Sequence, residues 1–122
     1  MTNFTFNAPP DNVPLVHKVS EFYKQLCVYS LKIPKRARFG IYLKIENVCL
    51  EILHSILTAS FQAKTEKLPT LNAARVQIEA LKILVRITCE LKIINQQQYL
   101  YLEKSIQEIS KMTNGWIKYL RL

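Results

Sequence analysis

Glycine is almost missing from the 122 residues: only Gly40 and Gly115 occur. Neither G-x-G-x-x-G nor a P-loop can be written from them, so no glycine loop cradles a nucleotide phosphate. Proline is also scarce beyond the start of the chain. Pro9, Pro10 and Pro14 account for three of the five, with Pro34 and Pro69 left to interrupt the rest. Few breakers imply few, long elements rather than many short strands. Cysteine is odd in number, and Cys27, Cys49 and Cys89 are far apart with no C-x-x-C pair. That argues against a disulfide framework or a zinc site and for a reducing, cytoplasmic setting. Each falls in an apolar helical stretch, where a free thiol behaves as a small core residue. No apolar run is free of charges, which excludes a membrane-spanning helix. The N-terminus has no basic region followed by an apolar core, so no signal peptide is expected. Acid is in deficit: 9 Asp and Glu face 17 Lys and Arg, for a net charge of +8. A surplus of that size on a small chain favours an anionic partner: RNA, DNA or an acidic protein face.

What remains is apolar and periodic. Hydrophobic residues make up 49% of the chain, too many for a disordered polymer and suited to one compact domain. Residues 1–13 read as an irregular arm, because its prolines prevent a regular helix. Residues 14–122 read as one helical domain. A first helix is expected over 14–32, with Asn12 as candidate cap, Pro14 in the first turn and a stop before Pro34. Leu15, Val19, Phe22, Leu26, Tyr29 and Ile33 form its seam. A second is expected over 35–64. It carries Ile41, Ile45, Val48, Ile52 and Ile56 on one line and Phe39, Leu43, Leu50, Leu53 and Leu57 on neighbouring angles. That arc is wider than the stripe of a surface helix and requires cover on most sides, from the chain itself or from another subunit.

Leu68-Pro69-Thr70 reads as a break. A third helix is expected over 70–92, with Leu71, Ala74, Ile78, Leu81, Val85 and Thr88 inward. Asn95 is the expected cap of a fourth helix over 96–119, whose seam is Tyr99, Leu102, Ile106, Ile109, Thr113, Trp116 and Leu120. Because that seam runs on past Gly115, the glycine is expected to mark a close helix approach rather than a helix end. Short connections make neighbours antiparallel. The fold class is therefore all-α, an antiparallel up-down-up-down four-helix bundle.

Catalytic signals are weak. Glu51 and His54 have the Glu-x-x-His spacing of carboxylate-bridged metal bundles, but such a site needs two of these motifs and two further glutamates. Pro14 stands where the glutamate partner of His17 should be. Cys49 and His54 do not share a helical face, so a nucleophile–base pair is not formed locally. No catalytic residue, metal site or cofactor is expected, and the chain reads as a binding protein rather than an enzyme.

The cations are better organised. Arg75, Lys82 and Arg86 lie along one side of the third helix, with Glu79 and Glu90 close enough to offset part of the charge. Lys104, Lys111 and Lys118 recur every seven residues on the fourth, and Arg121 extends their line. Lys35, Arg36 and Arg38 cluster at the entry of the second helix beside Phe39. The arginines carry the stronger functional implication, because a guanidinium grips phosphate or carboxylate with two parallel bonds. These three groups are the candidate nucleic-acid and partner contacts, with Arg75, Lys82 and Arg86 first among them.

The segments IPKRARF, IENVCLEIL, LKILVRITCELKIINQQQYLYL and EISKMTNGWIKYL resemble the accessory variability determinant (Avd) family of diversity-generating retroelements. They also resemble the wider four-helix-bundle group that includes proteins encoded in intervening sequences of bacterial 23S rRNA genes. The resemblance spans residues 16–120. It is densest at Arg86, Glu90, Leu91, Lys92, Ile94 and Tyr99, and again at Glu108, Ile109, Met112, Gly115, Trp116 and Ile117. The chain departs from the pattern at Ser110 and Asn114, where the family often has glycine. The resemblance implies a homopentameric barrel with a basic surface that binds a reverse transcriptase and nucleic acid, both template RNA and cDNA. It further implies support of adenine-directed mutagenic reverse transcription. Membership of the intervening-sequence group would imply a different RNA or protein partner.

Overall fold

The computed structural model describes residues 12–122, which form five helices and no strand. They are α1 (Asn12–Ser30), the single turn α2 (Lys35–Arg38), α3 (Ile41–Phe61), α4 (Lys64–Glu90) and α5 (Gln96–Leu120). Helix α1 lies against α3 and α5, and α4 lies against the same two. Side-chain pairs show that every neighbouring pair is antiparallel. Val19 meets Cys49 while Leu26 meets Tyr42. Glu51 meets Gln77 while Ala59 meets Lys67. Lys18 meets Glu108 while Tyr29 meets Tyr101. The arrangement is the expected four-helix bundle.

The seams read from periodicity form its core. Leu15, Val19, Phe22 and Leu26 are buried from α1; Ile45, Val48, Ile52 and Ile56 from α3. All six inward residues expected on α4 are buried, as are Leu102, Ile106, Ile109, Thr113, Trp116 and Leu120 of α5. Removing such side chains from water contributes roughly 1.5–3 kcal/mol each for the larger aliphatics. Tyr99 is only half-buried, since it stands in the first turn of α5.

Helix boundaries differ from the expectation in several places. Helix α1 already includes Asn12, two residues before the expected start, so Asn12 lies within the helix rather than capping it. The rest of the arm expected over 1–13, with Phe4 and Phe6, lies outside the described residues. The second helix is not continuous over 35–64: it breaks at Phe39-Gly40 into α2 and α3. At Gly40 a Cβ would come 3.0 Å from the Arg36 carbonyl oxygen, so a side chain there would crowd the end of α2.

The second connection is Gln62-Ala63, both with extended backbone, and not the segment around Pro69. Helix α4 starts at Lys64 and carries Pro69 inside. A proline there forfeits one bond to the Thr65 carbonyl. Burial of Lys67 and Leu71 on the same inward side holds that turn in place.

The third connection is capped at both ends. Ile93 donates to the Thr88 carbonyl (2.8 Å) and Lys92 to that of Cys89 (2.9 Å), closing a Schellman turn. Lys92, at φ 61°, occupies the left-handed position that glycine usually takes. Asn95 then caps α5 as expected: its side chain accepts from the Gln98 amide (2.8 Å), and Gln98 accepts from the Asn95 amide (2.9 Å). Gly115 does not mark a close approach. It is exposed, and a Cβ there would meet nothing within 4 Å.

Candidate nucleic-acid interface

Helix α4 sorts its side chains by flank. The inward line fixes the rotation, and Arg75 and Lys82 each follow an inward residue by one position, on the side that meets α5. Gln77 projects to the other side, where it donates to Glu51 of α3 (3.2 Å). The outermost positions of α4 are apolar, with Val76 and Ile83 exposed. The basic flank of α4 therefore runs beside α5, not beside α3.

On α5, Lys104, Lys111 and Lys118 are all exposed, as the seven-residue spacing requires. Because α4 and α5 are antiparallel, the Arg75 end of α4 meets the C-terminal end of α5. There Asn72, Arg75, Asn114, Ile117, Lys118 and Arg121 line a cleft of about 280 Å³. Arg75 donates to Asn72 Oδ1 (3.4 Å). No carboxylate side chain lines the cleft. The structure thus brings together two basic groups that the sequence presents separately.

The cations are not equivalent. Lys82 is half-buried and paired with Glu79 (2.8 Å), which removes much of its charge from the surface. Arg75 and Arg86 are exposed, and among the described residues neither has an ion pair. Lys35, Arg36 and Arg38 are not brought to this cleft. Arg36 borders a hollow with Gly40, Leu91 and Ile93, past the far end of α4. The sixteen residues from Arg75 to Leu91 span about 24 Å of helix. The Arg38 guanidinium lies 5.3 Å from the Phe39 ring, a cation–π contact on an exposed aromatic.

Other candidates have structural roles. Glu51 and His54 are exposed on α3, and Glu51 is held by Gln77. Among the described residues no group of three His, Cys, Asp or Glu side chains is placed to hold a metal ion. Cys49 is buried with its sulfur near the Val19 carbonyl, and burial pushes its thiol up to about 12. It stays protonated at neutral pH, unlike an activated nucleophile. Trp116 is core, whereas Tyr101 and Tyr119 are about half exposed. Tyr101 packs edge-on to Tyr29 with centroids 6.5 Å apart.

Sequence reasoning missed Asn72 and Asn114, because neither belongs to a pattern until the helices are packed. It also missed Lys67, which is fully buried and donates to the Ala59 carbonyl in the last turn of α3. Its Nζ lies 6.0 Å from the Trp116 ring. The one sequence signal for it is position: Lys67 lies four residues before the buried Leu71, hence on the same inward face.

A family model described as bAvd-like matches residues 14–120, nearly the whole helical domain, so the chain belongs to the bAvd-like family. No curated protein and no solved structure gives a match. No helix among the described residues is long and apolar enough to cross a membrane.

Proposed function

From that membership, we propose that the chain is a non-catalytic basic scaffold of a diversity-generating retroelement. It assembles as a homopentameric barrel and binds the reverse transcriptase and nucleic acid, template RNA or cDNA, during mutagenic reverse transcription. The observation that carries the reading is the convergence of Arg75, Lys118 and Arg121 on a cleft without a lining carboxylate. An anion there meets several fixed donors, and a ring of subunits repeats the arrangement, which raises avidity without new contacts.

The test is the triple substitution of Arg75, Lys82 and Arg86 by alanine. Alanine suits a helix, and two of the three side chains are exposed, so the variant is expected to stay folded. Affinity for RNA and for reverse transcriptase is expected to fall. Wild-type binding to single-stranded RNA is expected to weaken with salt at a slope of about −0.7 per phosphate contacted. Unchanged binding by the variant, or salt-independent binding by the wild type, would refute the assignment.

Assembly is supported by what the bundle leaves uncovered. Leu43, Leu50 and Leu57 recur every seven residues on α3 and remain about 40% exposed, with Phe39 and Phe61 more open still at 61% each. A seven-residue apolar line on a helix is the seam along which another helix packs. Light scattering is expected to give a mass near five times 14.2 kDa. Substituting the three leucines by serine is expected to lower it, and a monomeric wild type at micromolar concentration would sink this part.

A further inference from the structure

The geometry points to the α4–α5 cleft as a discrete phosphodiester site that grips one backbone phosphate of single-stranded nucleic acid through Arg75 and Arg121. This rests on the nucleic-acid reading above and sharpens it, since a diffuse basic surface would contain no such site.

Three observations favour a built site. The first is the concentration of donors. Two guanidiniums and one ammonium share about 280 Å³, a volume on the scale of a phosphate with part of its sugar rather than a folded protein surface. The second is orientation. Arg75 is steadied by Asn72, the residue one turn earlier on α4, through one contact at 3.4 Å. A guanidinium has five N–H donors in a rigid fork, so a single such bond leaves a bidentate edge available. The third is local charge balance. Glu79, one turn beyond Arg75, is the carboxylate best placed to neutralise it, yet it is engaged by Lys82 at 2.8 Å. The Glu79–Lys82 pair therefore leaves the Arg75 charge uncompensated at the mouth of the cleft.

The remaining wall suits the same ligand. Ile117, buried beside Leu120 and Trp116, supplies an apolar side, while Asn114 adds an amide able to donate to a phosphate oxygen or accept from a ribose hydroxyl. Recognition would fall on backbone rather than base, because no aromatic ring lines the cleft. The site should therefore show little base preference.

The discriminating experiment exchanges arginine for lysine, which keeps charge and removes the fork. Binding of a mixed-sequence single-stranded RNA oligonucleotide is measured by fluorescence anisotropy at low and moderate salt. The proteins are wild type, Arg75→Lys, Arg121→Lys and, as a charge-loss control on α3, Lys44→Ala. Arg75→Lys and Arg121→Lys are each expected to weaken binding about tenfold, the equivalent of one charge-assisted hydrogen bond. The control loses a full charge and is expected to change affinity less than either. Wild-type-like binding by both lysine variants overturns the cleft while leaving a basic nucleic-acid surface intact. No wild-type binding at low salt overturns that broader reading and the cleft with it. Loss of reverse transcriptase capture with RNA affinity unchanged would assign the cleft to a protein carboxylate and also overturn the proposal.

Discussion

Trp116→Ala is expected to destabilise the folded chain by about 3 kcal/mol, at the lower edge of the roughly 3–5 kcal/mol typical of a buried aromatic. The side chain is 1% exposed and is among the largest fully buried groups of the bundle. It stands on α5 near the N-terminal turns of α4, so its removal opens a void where helices meet and cannot collapse independently. One detail sets the value at the lower edge. The indole Nε1 is buried with no hydrogen-bond partner, so alanine also removes an unsatisfied donor. The same change strips Lys67 of its aromatic neighbour, which limits that relief. Trp116→Phe is expected to lose much less, because a ring still fills the site and the orphan donor is gone. Denaturant unfolding of the three proteins checks both statements. A loss below about 1 kcal/mol for Trp116→Ala would show that the site repacks freely.

The second large effect is expected at Lys67 and is read through pH. The ammonium is buried without a carboxylate partner among the described ion pairs. Desolvation pushes its pKa below the ordinary lysine value. The Ala59 carbonyl and the Trp116 face offset part of that cost, the former because the C-terminal turn of α3 favours a cation. With the folded pKa below the unfolded one, the unfolded chain binds more protons in the interval between them. Stability must therefore rise with pH across that interval and fall again as pH drops through the folded pKa. Wild type is expected to gain on Lys67→Met as pH rises toward the ordinary lysine value, whereas the variant lacks this increment. Parallel pH–stability curves would show that Lys67 reaches solvent in its charged form. The pair Lys67 and Trp116 should also be non-additive in a double-mutant cycle, since each is part of the other's surroundings.

Much of the fold was legible because an amphipathic helix advertises its inward face locally. The six-residue seam of α4 and the Leu102-to-Leu120 seam of α5 needed only periodicity. The Asn95 cap needed only side-chain chemistry and a glutamine three residues on. Boundaries were harder where two local rules competed. Pro69 argues for a break, but Lys67 and Leu71 are both drawn to the core, and burial outweighs one lost backbone bond. The break at Gly40 is not legible in the periodicity, because the surrounding apolar spacing reads as one continuous helix. Gly115 was credited with a close approach that the packing of the described residues does not contain.

The order of residues dictates that this chain makes long helices, which faces they bury and that its surface carries a large excess of cations. Each is a property of neighbours within two turns, so spacing alone encodes it. The same local patterns, set beside a known family, were enough to identify the bAvd-like relationship. Which cations act together depends instead on how the helices pack. Arg75 and Arg121 are 46 positions apart in the chain, and no local spacing links them. The antiparallel packing of α4 on α5 brings them to one cleft, while it leaves the α2 cluster at the opposite end. It also decided that Lys67 is inside. Charge acts through distance and burial, and both are set by how helices pack rather than by the order of residues along one of them.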